Sequence, residues 1–122
     1  MIFARRVFLI AAIYGMIVLV PQYFMEGRIG RDFPPPITHP EQFYGFIGVA
    51  LAFQMLFFII ASNPVRYRAA MIAAILEKVS FVVPCIVLYA QDRLASIILA
   101  VAGIDLILGI LFFISYRLTP KS

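Results

Sequence analysis

The chain has 122 residues, of which 64% are hydrophobic and 13% charged, and its mean hydropathy is +1.03. Soluble domains hold roughly 45–50% apolar and about 25% charged residues, so this composition excludes an ordinary water-soluble fold and implies an integral membrane protein. The formal charge of +4 comes from residues at the ends of apolar runs, not from a basic stripe with interleaved aromatics, which argues against nucleic acid as a partner.

The apolar residues fall in four runs, about residues 7–25, 43–61, 67–89 and 94–116, each long enough to cross roughly 30 Å of hydrocarbon as a helix. The expected fold is therefore all-α. It is a single transmembrane domain over residues 1–122, a four-helix antiparallel bundle with spans at about 7–25, 39–61, 64–90 and 93–117 and an outer loop at about 26–38. Arg5, Arg6, Arg66, Arg68, Arg117 and Lys121 gather on one side of this scheme; Arg28, Arg31 and Arg93 on the other are offset by Glu26, Asp32, Glu41 and Asp92. The positive-inside rule then puts both termini in the cytoplasm, as for a multi-pass protein of the inner (cytoplasmic) membrane, and argues against copies inserted both ways.

The first span follows Ala4-Arg5-Arg6, which resembles the basic start of a signal peptide, but no small-residue cleavage pattern follows Val20-Pro21-Gln22. It reads as a retained helix. Ala4, Ala11 and Gly15 give it one small-residue side, suited to close helix approach. Tyr14 is its one strongly polar side chain, either an aromatic packing residue with one hydrogen bond or a ligand contact. Pro21 kinks or ends the helix.

Residues 22–42 form the one long connection, stiffened by Pro34-Pro35-Pro36 into a strap or docking surface at the outer mouth. Thr38-His39-Pro40-Glu41 fits a capping box that starts the second span. His39, the only histidine, reads as structural, since a metal site needs several convergent ligands. In the second span Gly45, Gly48 and Ala52 form a small-residue seam, and Gln54 projects from nearly the opposite side into a medium that offers no hydrogen-bond partner.

Asn63 and Pro64 suit the cap and first position of the third span. That span holds Glu77 and Lys78 side by side in apolar surroundings. Ala70, Ala73, Ala74, Glu77, Ser80, Phe81 and Pro84 share one side at 100° per residue, which is expected to face protein. Lys78 lies about 100° further round, so the two charges should meet different partners unless Lys78 curls back. The one cysteine, Cys85, cannot form an internal disulfide and reads as a packing residue.

Asp92 suits the cap of the fourth span, which carries Asp105 and, one turn on, Gly109. Gln54, Glu77, Lys78 and Asp105 are thus expected to converge on one layer near the middle of the membrane. Intramembrane ionisable groups default to a functional site. Two carboxylates and one ammonium leave one negative charge, so a proton or a further cation must join them. The expected ion pair is Asp105 with Lys78, leaving Glu77 as the acid that takes up a proton.

No Ser/His/Asp set, glycine-rich phosphate loop or metal-ligand cluster is present in the sequence, so no catalytic residue and no metal are assigned and an enzyme is not expected. The small multidrug exporters share the length but carry their membrane glutamate on the first helix, which has no acid here. The string His39-Pro40-Glu41-x-Phe43-Tyr44-Gly45-Phe46-x-Gly48, with Pro64-x-Arg66-Tyr67-Arg68 and Leu76-Glu77-Lys78, resembles small uncharacterised bacterial four-helix membrane proteins and, more loosely, the DoxX-like group. That resemblance implies a lipid or quinone neighbour, or a partner subunit. The expected function is binding of a small hydrophobic molecule such as a quinone or lipid at Glu77, Lys78, Asp105 and Gln54, with Tyr14 as a further candidate. The alternatives are a non-catalytic structural or accessory subunit, partnered by other membrane proteins or by its own copies, and a proton-coupled small-solute transporter.

Overall fold

Long apolar runs free of interior glycine clusters form helices because in hydrocarbon only a helix or a closed barrel satisfies every backbone amide and carbonyl. The computed structural model describes residues 2–121. It contains α1 (Ile2–Leu19), which continues as a 3-10 turn (Val20–Phe24), α2 (Glu26–Asp32), α3 (Pro40–Ser62), α4 (Ala70–Ala90) and α5 (Ser96–Leu118). Four segments, Ile2–Phe24, Pro40–Ser62, Ala70–Ala90 and Ser96–Leu118, are long and apolar enough to cross a membrane, as in a multi-pass membrane protein.

Local chemistry explains where each helix stops. Pro21 brings no amide hydrogen, and the α-helix gives way there to the tighter 3-10 form. The connection expected as an outer loop contains α2, supported by the Arg28–Asp32 pair at 3.6 Å, one turn apart. Gly30 lets the proline strap fold back on it: a methyl group there would meet Pro36 Cα at 3.1 Å. The expected capping box does not form. His39 is the N-cap of α3 with no side-chain cap bond, and Glu41 instead lies 3.4 Å from His39 Nδ1.

Asn63 Oδ1 accepts the Arg66 amide at 3.2 Å, the bond expected of a cap, yet the following residues are turns and the regular helix begins at Ala70 instead of Pro64. Pro84 lies within α4 without breaking it. Asp92 was expected to open the last helix but closes the one before. At φ 57° it is left-handed, its amide donates to Tyr89 O at 3.0 Å and that of Arg93 to Leu88 O at 2.8 Å, the Schellman pattern that satisfies the last carbonyls of a helix. The final helix then starts at Ser96, after Ala95.

α1 packs against α3 and α5, and α4 packs against α5 and α3. The core is an aromatic triad, one ring from each of three helices: Phe8 stacks on Phe112 with centroids 4.3 Å apart, and Phe57 meets Phe112 edge-on at 5.0 Å. Buried Ala4, Ala11 and Ala12 allow that approach. Arg5 Nε donates to Ala61 O at 3.2 Å, and Arg68 Nε to Tyr116 O and Thr119 O at 3.1 and 2.8 Å, so arginines satisfy carbonyls at the ends of α3 and α5.

One expected face is reversed and another is rotated. The buried side of α3 is that of Ile47, Ala50, Gln54, Phe57 and Ile60, while Gly45 and Ala52 of the glycine seam are exposed. The buried side of α4 is that of Met71, Ala74, Lys78, Val82 and Cys85, while Ala73, Ser80 and Pro84 face outward. In both helices the polar side chain went inward because a glycine on a neighbouring helix leaves room for it.

Candidate functional site

Lys78 is the centre of the polar layer. Its side chain is only 6% exposed, with Nζ 3.3 Å from Asp105 Oδ1 and 3.5 Å from Glu77 Oε2. It therefore does curl back, and one ammonium serves both carboxylates. The two contacts differ in kind: the Asp105 contact is a hydrogen bond, whereas Glu77 Oε2 lies in ion-pair range but has no hydrogen-bond partner among the described residues. Nζ also lies 5.4 Å from the centroid of Phe57, within reach of cation–π attraction. Through this one side chain α4 engages α5, the aromatic core and its own neighbour.

Position explains why the lysine points this way. Gly109 faces the stem of Lys78, and a methyl group there would come to 3.2 Å from Lys78 Cβ. The missing side chain makes space for the aliphatic part of the lysine, and Asp105, one turn before Gly109, receives its charge. Removing charges from water is costly, and a buried ion is tolerated only with close partners; Asp105 is such a partner, at 15% side-chain exposure.

Glu77 lies about 10 Å along α4 from Ala70, at 1.5 Å per residue. It is nearer one end than a start at Pro64 implied. Its side chain is 16% exposed and lines a groove of about 510 Å³ between α3 and α4. Phe46, Phe53, Phe81, Leu76 and Ala73 make up most of the wall, and Glu77 is the only charged residue lining it among the described residues. The rings of Phe46 and Phe81, 6.4 Å apart, line it from the two helices. Ser80 also lines the groove, but its hydroxyl donates to Glu77 O at 2.7 Å. The volume falls within the ordinary range of small-molecule sites, about 300–1,000 Å³.

Gln54 stands elsewhere, whereas the Tyr14 hydroxyl lies near enough to Asp105 to feel its charge. Gln54 is 2% exposed, its Nε2 donates to Ala50 O at 2.8 Å, and its amide occupies the notch left by Gly15 on α1. Its Oε1 has no partner among the described residues. Tyr14 packs against the aromatic core. Thus three of the expected residues, Glu77, Lys78 and Asp105, come together, and Gln54 serves the contact of α1 with α3. The groove itself was not foreseen. Its signal was the four-residue step from Ala73 to Glu77 and on to Phe81, opposite the phenylalanines of α3. Among the described residues no group of three or more His, Cys, Asp or Glu side chains lies close enough to hold a metal ion.

No protein-family model, curated protein or solved structure matches the chain. The functional reading therefore rests on the geometry.

Proposed function

We propose that this is a small multi-pass protein of the inner (cytoplasmic) membrane that holds a small hydrophobic molecule with a polar head, such as a quinone or a lipid, in the groove between α3 and α4. The observation that carries the reading is a single carboxylate, Glu77, set in the wall of an otherwise apolar and aromatic groove. Such sites bind by apolar burial and use a few polar groups to orient the ligand. The resemblance to DoxX-like proteins implies the same kind of neighbour.

The four spans form an antiparallel bundle with both ends in the cytoplasm, a single transmembrane domain. Support for this comes from the arginine contacts, which set the start of α1 beside the end of α3, and the start of α4 beside the end of α5. Arg5, Arg6, Arg66, Arg68 and Arg117 then share one side, as the positive-inside rule requires.

Native mass spectrometry of protein extracted in mild detergent tests the ligand reading. The wild type is expected to retain a small lipid-soluble molecule, Ala73→Phe to lose it by filling the groove, and Glu77→Gln to hold less of it. Equal retention by the wild type and both variants, or none by the wild type, overturns the reading.

A second reading, a non-catalytic accessory subunit, is favoured by Gly45 and Gly103. Nothing lies within 4 Å of where a side chain would start at either position, which leaves bare backbone for another helix to approach. A defined hetero-complex that survives extraction and is lost in Gly103→Leu supports that reading; a monomer unaffected by the substitution removes it.

A further inference from the structure

We infer that the groove between α3 and α4 selects a lipophilic cation, an ammonium or phosphonium carried on aromatic or alkyl groups, whose positive charge sits beside Glu77. The inference rests on the groove being a ligand site, as proposed above, and adds the sign of the ligand's charge.

The charge count is the first argument. Lys78 Nζ is within 3.5 Å of Glu77 and 3.3 Å of Asp105, so one positive charge faces two negative ones. Lys78 makes its hydrogen bond to Asp105, and its stem is held on the α5 side against Gly109. The negative charge left over therefore belongs to Glu77, whose buried Oε2 faces Lys78 at 3.5 Å without a hydrogen bond among the described residues and whose side chain lines the groove. A lone charge in a medium of low dielectric is costly, and a nearby opposite charge offsets that cost.

The second argument is the wall. Across the groove α3 offers Phe46 and Phe53, and α4 adds Phe81. The faces of aromatic rings carry partial negative charge and attract cations, more strongly where water is excluded. No cationic side chain lines the groove among the described residues, so its wall offers no partner to an anionic head. Apolar walls beside one acid discriminate by charge as well as by size.

Equilibrium dialysis of the full chain in neutral-detergent micelles, corrected for protein-free micelles, tests the inference with three probes of similar shape: tetraphenylphosphonium, tetraphenylborate and triphenylphosphine oxide. The wild type is expected to bind the phosphonium more tightly than the borate by about tenfold or more, the scale of one close charge pair. Ala73→Phe is expected to abolish that binding and Glu77→Gln to erase the preference. Lys78→Met, which removes the competing cation, should tighten phosphonium binding. Equal binding of phosphonium and borate by the wild type overturns the inference and needs no variant to fold; it is the result expected if a proton neutralises Glu77 instead. If the neutral oxide binds and is displaced by Ala73→Phe while the phosphonium has no advantage, the cation inference falls and the ligand site stands. If no probe responds to Ala73→Phe, both fall.

Discussion

The two sides of α4 solve the same problem in opposite ways. Toward α5 the helix is closed: Gly109 admits the lysine stem, Asp105 takes its charge, and Lys78 is 5% exposed. Toward α3 it is open, with a groove of about 510 Å³ and a glutamate on its wall. Adjacent residues, Glu77 and Lys78, divide between the two sides because successive positions on a helix turn by about 100°. The closed side uses charge to hold helices together; the open side leaves charge to be met by something else. If this division is right, substitutions on the two sides must differ in what they damage.

The largest loss of stability is expected on the closed side. Lys78→Met leaves two carboxylates without their cation, and removing one partner of a buried pair typically costs about 3–5 kcal/mol. Reversible unfolding in mixed micelles measures it. Adding Asp105→Asn to Lys78→Met removes one of the stranded charges and should recover part of the loss, the non-additivity expected of residues in contact. A Lys78→Met protein as stable as the wild type breaks the comparison, because the closed side would then owe little to its clasp.

The next effect lies away from both sides, where α1 meets α3. A methyl group in Gly15→Ala would collide with the Gln54 side-chain amide. Gln54 must then leave its notch and its 2.8 Å bond to Ala50 O, and overpacking of this kind costs about 1–3 kcal/mol. Gly15→Ala with Gln54→Ala should lose less than the two single changes added together, because the collision is gone. A loss on the same scale, about 1.5–3 kcal/mol, is expected for Arg68→Ala, which removes the bonds to Tyr116 O and Thr119 O from a half-buried guanidinium. Both losses leave the groove intact and so should not change ligand retention, which separates packing from binding.

Much of this architecture is legible in residue order alone. Length and hydropathy place the four long helices, since the bilayer dictates how much apolar chain a span needs. The pairing of Lys78 with Asp105 follows from the rarity of charge in such segments. What residue order conceals is which neighbour fills each gap. Gly45 and Gly48 read as a contact seam, yet Gly45 faces open space, while Gly15 and Gly109 receive the polar side chains. A glycine marks where a backbone can be approached; the side chain that approaches comes from a distant part of the chain. Asp92 was misplaced for a different reason: an acid between two helices suits the start of the second, and only φ 57° reveals that it ends the first.

The smallest stability effect is expected on the open side, and it is the most informative. Glu77→Gln keeps the size of the side chain and removes a negative charge from a cluster that already holds one too many. The lost attraction to Lys78 at 3.5 Å lacks a hydrogen bond, and Lys78 keeps Asp105. Because Lys78 keeps Asp105, the change strands no buried charge and the cost of breaking a buried pair, about 3–5 kcal/mol, does not apply, so unfolding in micelles should shift far less than in Lys78→Met, in either direction. If Glu77→Gln instead destabilises the protein as strongly as Lys78→Met, the two residues form one structural clasp, and the groove loses its claim to the carboxylate. If stability holds and ligand retention falls, the closed face holds the fold together and the open face binds.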